Sequence, residues 1–283
     1  MKKPLFSFFA IFMLLLFFYS LRAQQITFNK VVLPTGDSHG GVGGFAQDKN
    51  GYMWIATKGG LFKYDGYRFK IFNNDPSDPL SLVNNRLENI YVDRQGIIWI
   101  ISWMDGLDRL DPSTETFTHY RHDPENPNSL SSDTIRSIIH DQDGIFWIGT
   151  TSGLDRYDPK SGEFQNFSHN PKDSTSLSCN RVRMLYEDRE GTLWVGTGSA
   201  WNGEGGETDE GGLNRFDKKT GTFKRYLHDP DNLQSLINNK VSSLFEDSRG
   251  TFWIGTAGDG LHTMDRENGI FQRHRHDPAQ PDK

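Results

Sequence analysis

An Asp-x-x-Gly turn followed by tryptophan recurs five times along this 283-residue chain, always with the same internal spacing. The pairs are Asp48 and Trp54, Asp93 and Trp99, Asp141 and Trp147, Asp188 and Trp194, and Asp247 and Trp253, six residues apart in each case. Successive tryptophans are separated by 45, 48, 47 and 59 residues. After each Trp come Gly-Leu and then an apolar residue beside Asp: Tyr64-Asp65, Leu110-Asp111, Tyr157-Asp158, Phe216-Asp217 and Met264-Asp265. Each unit continues to a phenylalanine (Phe69, Phe117, Phe164, Phe223, Phe271) and ends at a proline (Pro76, Pro124, Pro171, Pro230, Pro278). A period in this range marks stacked supersecondary units that cannot bury their apolar faces alone.

Each unit reads as four short strands. The first alternates, as in Leu87 to Val92 or Val241 to Phe245. Asp-x-x-Gly then turns the chain, with the Asp side chain capping the turn and Gly taking the left-handed conformation. The second strand carries the Trp, and its apolar residues are consecutive, as in Leu193-Trp194-Val195. That pattern fits a strand covered on both faces. The third strand runs from Leu to Asp, and a turn such as Asp158 to Gly162 leads to the fourth. No stretch keeps a helical period. Four-stranded blades of this length predict an all-β fold, a β-propeller with blades over about 40–76, 85–124, 133–171, 180–230 and 239–278. The longest step has a local cause. Residues Gly198 to Gly212, rich in glycine and acid around Trp201, lengthen the loop between the second and third strands.

Residues 25–33 precede the first unit and read as one further outer strand, with Ile26, Phe28, Val31 and Val32. The fifth unit already has its own fourth strand, Ile270 to His274. Five blades plus an orphan strand predict part of a larger, seven-bladed ring, and so the front of a longer protein; the alternative is a closed five-bladed ring with a frayed end. Residues 1–23 differ from all that follows. Lys2 and Lys3 precede an apolar run from Leu5 to Leu21, and Ala23 closes it. This is the layout of a secretory signal, with an uncleaved membrane anchor as the alternative. Both place the rest of the chain outside the cytoplasm. Removing Lys2, Lys3 and Arg22 would take the net charge from −6 to −9. An acidic chain of this kind lacks the basic footprint of a nucleic-acid binder. Cys179 is the only cysteine, so no internal disulfide supports the fold.

Phe146-Trp147-Ile148-Gly149-Thr150, Gly153-Leu154 and Arg156-Tyr157-Asp158, with the linker Asp123 to Leu130, resemble the two-component regulator propeller repeat. The resemblance covers residues 26–283. It implies the periplasmic sensor region of a hybrid histidine kinase, anchored in the inner membrane when full length, which detects oligosaccharides and controls glycan-utilisation genes. It also implies further blades, a connector and a kinase downstream, and a homodimer. The residues present include no kinase motif, so the chain itself is expected not to be an enzyme. The second unit departs from the pattern, with Ile101-Ser102-Trp103 where the others favour Gly-Thr.

The candidate site follows from what the repeat leaves unexplained. Trp54, Trp99, Trp147, Trp194 and Trp253 are expected as core, and His122, His169, His228 and His276 recur before the prolines as structural residues. Asp141 to Gly144 starts like a calcium loop, but Ile145 and Ser152 occupy ligand positions, so no metal is expected. No cofactor or catalytic motif is present, and a glycosidic carboxylate pair is not identifiable from sequence. Trp103 and Trp201 break the repeat phase, both in loops between second and third strands. Those loops share an end with the linkers entering each first strand, which carry Arg86, Arg136, Arg181, Arg183 and Lys240. With Asp105, these residues form the expected oligosaccharide-binding face, since aromatic rings stack on sugars while Arg and Asp bond hydroxyls or carboxylates. A loop plug or inter-domain contact is the structural alternative. A propeller-fold polysaccharide lyase or hydrolase, or a surface interaction scaffold, are the other functions weighed.

Overall fold

The computed structural model describes residues 31–34, 41–199, 210–258 and 260–275. The chain divides into two compact units, up to Gly36 and from Asp37 onward. Of the first, only residues 31–34 are described, and they carry no strand. The expected signal over 1–23, residues 25–30 of the leading strand, Trp201, and the final stretch with His276 and Pro278 lie outside the described residues.

Among its described residues the second unit contains twenty strands and no helix. The first blade is β1 (Val42–Gln47), β2 (Met53–Thr57), β3 (Gly60–Tyr64) and β4 (Phe69–Phe72); the second is β5 (Leu87–Val92), β6 (Ile98–Ser102), β7 (Leu107–Asp111) and β8 (Thr116–Tyr120). The third holds β9 (Ile135–His140), β10 (Phe146–Thr150), β11 (Leu154–Asp158) and β12 (Glu163–Phe167). The fourth holds β13 (Val182–Glu187), β14 (Leu193–Gly198), β15 (Gly211–Asp217) and β16 (Thr222–Tyr226). The fifth holds β17 (Val241–Glu246), β18 (Phe252–Thr256), β19 (Gly260–Asp265) and β20 (Ile270–His274). Each set is a separate antiparallel meander, so the chain is all-β with five four-stranded blades.

The repeated Asp does more than cap its turn. Asp48 Oδ1 accepts the backbone N–H groups of Asn50 at 2.9 Å and Tyr52 at 3.1 Å, while Oδ2 accepts the Trp54 indole N–H at 2.9 Å. The indole bond recurs from Trp99 to Asp93, Trp147 to Asp141, Trp194 to Asp188 and Trp253 to Asp247, at 2.8 to 3.1 Å. The constant spacing of six is therefore a clamp: one carboxylate shapes the hairpin and satisfies the buried indole. The turn glycine takes positive φ, +86° at Gly51 and +79° at Gly191, as the turn requires.

The first four clamped Trp residues are buried against the following blade, whereas Trp253 of the fifth, expected as core, is only half-buried because no described blade follows it. Trp54 joins Leu87, Ile90 and Ile98 of the second blade; Trp99 joins Phe146 and Tyr157 of the third. Trp147 joins Leu185, Leu193 and Phe216 of the fourth, and Trp194 joins Leu244, Phe252 and Met264 of the fifth. The linkers contribute Leu82, Leu130, Leu177 and Leu236, one to each of these four clusters. The linker histidines fix them there: the Nδ1 atoms of His122, His169 and His228 bond the carbonyls of Leu130, Leu177 and Leu236 at 2.6 to 2.8 Å. Two blade faces are bare among the described residues. Phe45 on β1 is 71% exposed, whereas Leu185 and Leu244 at the same position are buried, and Phe245 on β17 is 59% exposed.

Candidate functional site

Backbone hydrogen bonds place the loops between second and third strands beside the linkers. The N–H groups of Trp103, Thr151, Gly198 and Ala257 donate to the carbonyls of Arg86, Thr134, Arg181 and Lys240 at 2.9 to 3.1 Å. Arg86, Arg181 and Lys240 thus stand just ahead of their first strands at one common end. Arg136 and Arg183 are one residue inside theirs, matching Glu88 in the second blade.

The second blade breaks the pattern at this end. In the third and fourth blades the penultimate apolar position of the second strand is Gly149 or Gly196. A Cβ there would lie 2.6 Å from Val182 or 2.7 Å from Val241 of the next blade. Those glycines let successive inner strands pack closely. The second blade has Ile101, fully buried against Ile135 and its neighbours. Accordingly β5 and β9 approach each other less closely than any other successive pair of inner strands. A cleft of about 200 Å³ opens between the two blades, lined by Glu88, Asn89, Ile101, Ser102, Trp103, Met104, Thr134, Ile135 and Arg136.

The next residue departs too. Thr57, Thr150, Thr197 and Thr256 each donate their hydroxyl to the glycine carbonyl that opens the third strand, at 2.8 to 3.4 Å. Ser102 replaces this threonine. It is 1% exposed, and its Oγ has no partner. A shielded hydroxyl without a partner is unfavourable by about 1–3 kcal/mol. Glu88 Oε1 is likewise shielded and without a hydrogen bond. It forms an ion pair with Arg86, whose Nε is 3.9 Å away.

Arg86 stacks on Trp103, with its guanidinium carbon 3.9 Å from the ring centroid. That contact covers one face of the indole and holds the off-phase Trp at the rim. Met104 follows with φ of 58°, an uncommon conformation for a side chain of its size, and is 60% exposed. Arg136 is exposed and makes no hydrogen bond or ion pair among the described residues.

The sequence-expected residues therefore separate. Trp103, Arg86 and Arg136 gather around the cleft. Asp105 instead accepts from Asn84 and pairs with Arg121 at 3.8 Å, which positions the loop rather than lining the opening. Arg181, Arg183 and Lys240 lie along the same end at the fourth and fifth blades, each with interactions of its own. Cys179 is buried, and burial pushes its thiol above the ordinary range, as suits a core residue. Glu88 escaped the sequence reading, and Ser102 enters it only as part of the Ile101-Ser102-Trp103 departure, not as a site residue. No group of residues able to hold a metal occurs among the described residues.

Larger hollows, of about 510 and 590 Å³, open around the turn between β15 and β16 of the fourth blade. Lys218, which lines both, is already engaged. Lys218 donates to Asp141 and Asp143 at 2.9 Å and Glu187 at 3.1 Å. Burial alone would lower the Lys218 ammonium, but these carboxylates hold it well above its usual range. This is a fastening between blades, which leaves the cleft beside Trp103 as the candidate site.

The two-component regulator propeller family pattern matches residues 36–59, 129–152, 176–199 and 235–258, segments belonging to the first, third, fourth and fifth blades. The extracellular domain of a hybrid two-component system from B. thetaiotaomicron superposes with a TM-score of 0.67 at 26% identity, over 83% of this chain and 30% of that one. Histidine kinase P4 of Formosa agariphila is 40% identical over 80 residues, which is 28% of this chain and 5% of the kinase. Virginiamycin B lyase from Staphylococcus aureus shares the fold at a TM-score of 0.59 and 12% identity, over 87% of this chain and 73% of the lyase. The chain thus spans only a minor part of its sensor relatives.

Proposed function

Since a segment in four of its five blades matches the two-component regulator propeller pattern, we propose that this chain is the extracytoplasmic ligand-sensing part of a hybrid histidine kinase. Its ligand is an oligosaccharide, received in the cleft between the second and third blades. One observation carries this reading: the departures from the repeat converge there. Ile101, Ser102 and Trp103 replace the pattern in consecutive positions, and together they open a hollow with an aromatic wall and unpartnered polar atoms. A mixture of flat apolar surface with hydroxyl-directed donors and acceptors is the chemistry that sugars require. The sensor role draws support from the likeness to the extracellular domain of a hybrid system, and export from the amino-terminal apolar segment.

Binding in this cleft touches two blades at once. A ligand that prefers one spacing of β5 and β9 shifts the population toward that spacing, and a kinase downstream reads the shift. The test is calorimetric titration of the chain with a panel of plant, algal and host oligosaccharides. At least one binds, and Trp103→Ala weakens it about tenfold or more while the melting temperature stays unchanged. Binding that survives Trp103→Ala undiminished would remove this cleft as the sensing site, and product formation from any glycan would replace the sensor by an enzyme.

A further inference from the structure

Glu88 and Arg136 occupy the same register position on neighbouring inner strands, the second residue of β5 and of β9. Both line the cleft, yet they form no ion pair with each other among the described residues. Elsewhere opposite charges at blade junctions do meet: Arg266 pairs with Asp188 at 2.9 Å and Glu246 at 2.8 Å, and Lys218 with three carboxylates. Ile101 holds this junction apart, so the carboxylate and the guanidinium face a gap rather than one another.

From this juxtaposition we infer that the cleft takes an acidic sugar, one uronate unit whose hydroxyls donate to Glu88 and whose carboxylate accepts from Arg136. This inference rests on the glycan-sensing reading and specifies its ligand. Glu88 Oε1 is ion-paired with Arg86 at 3.9 Å but accepts no hydrogen bond, so it can take one from a sugar hydroxyl. Arg136 offers a planar fork that a carboxylate engages through two parallel bonds, and a lone hydroxyl does not. Ser102 Oγ lies between these chemistries as donor or acceptor. A cationic ligand would meet Arg136, and a fully anionic one would meet Glu88, so a unit with one acid group and free hydroxyls is the best complement.

The experiment compares charge-matched probes against the full chain by calorimetry at physiological salt. Trigalacturonate, triglucuronate and trimannuronate are titrated beside galactotriose, cellotriose and mannotriose. At least one uronate binds about tenfold more tightly than its neutral counterpart. Arg136→Gln erases that preference; Arg136 is exposed, so this variant folds. Glu88→Gln weakens both members of the pair. Equal affinity for uronate and neutral trisaccharides, or a preference that survives Arg136→Gln, overturns the inference and leaves a glycan sensor of neutral specificity. Failure of every trisaccharide to bind overturns both readings.

Discussion

The Asp–Trp clamp shows how one residue can serve a turn and a core together. In the fourth blade Asp188, nearly fully buried, accepts the Trp194 indole at 2.8 Å and the Arg266 guanidinium of the next blade at 2.9 Å on the same oxygen. In the second blade Asp93 accepts the Trp99 indole at 3.0 Å, and among the described residues no cation reaches it. Removing Asp188 strands the buried indole and takes from the half-buried Arg266 one of its two carboxylates, Glu246 remaining at 2.8 Å; removing Asp93 strands the indole alone. Asp188→Ala is therefore expected to lower stability by about 2–4 kcal/mol, from an orphaned indole plus one weakened ion pair. For Asp93→Ala the expected loss is about 1–3 kcal/mol. Urea unfolding followed by tryptophan fluorescence measures both, and equal losses would show that Arg266 adds nothing. The turn role of these aspartates was legible from Asp-x-x-Gly. Their role toward the indole was not, although the unvarying six-residue interval carried it.

Among the elements, the third strands hold a device that local sequence concealed. Their second described position after the glycine is Asp108, Asp155, Asn214 or His262, each wholly buried. Each accepts the backbone N–H that follows the linker leucine: from Val83 at 3.0 Å, Ser131 at 2.8 Å, Ser178 at 2.9 Å and Ile237 at 3.0 Å. A polar residue in an otherwise apolar strand reads as facing solvent, and only the neighbouring linker reveals that it faces inward. Two histidines in this device titrate in opposite senses. His262 accepts through Nε2 and must be neutral, and burial lowers its pKa below 6.5. The unfolded chain then binds the extra proton, so stability falls as pH drops below about 6.5. His119 has its pKa raised, chiefly by its hydrogen bond to Asp108 at 2.7 Å. Its contribution is present below the unfolded value and fades as pH rises through the folded one. Melting temperatures between pH 5 and 8 are expected to lose their acid-side decline in His262→Asn, which copies Asn214. They lose their upper decline in His119→Asn, which copies Asn166. A pH profile unchanged in both variants would contradict the assignment.

For the molecule as a whole, blade junctions are unequal, and the candidate site sits at the least fastened one. Between the third and fourth blades, Glu187 accepts the Gln142 N–H at 2.9 Å; between the fourth and fifth, Glu246 accepts the Arg189 N–H at 3.0 Å. His140 holds the same place on β9, and both its ring nitrogens are shielded without partners. The cations that bridge the later junctions, Lys218 and Arg266, are matched in the third blade by Pro159, which cannot reach across. The junction between the second and third blades therefore rests on aromatic packing, with the Tyr120 and Tyr157 hydroxyls 2.9 Å apart. Trp103 could be singled out from sequence because it broke phase. The cleft itself could not, because it arises from four absences spread over sixty residues that only stacking brings together. Restoring the fastening tests whether this looseness is a designed property of the site. The double substitution His140→Glu with Pro159→Lys rebuilds the bridge seen at Lys218, aimed at Asp93. About 1 kcal/mol from a partly buried network corresponds to a rise in melting temperature of about 2–4 °C. If ligand seating requires β5 and β9 to move, the same variant binds its trisaccharide more weakly although none of the altered residues lines the cleft. A stabilised variant with unaltered affinity would mean that the cleft is rigid, and that the proposed sensing works through some motion other than this joint.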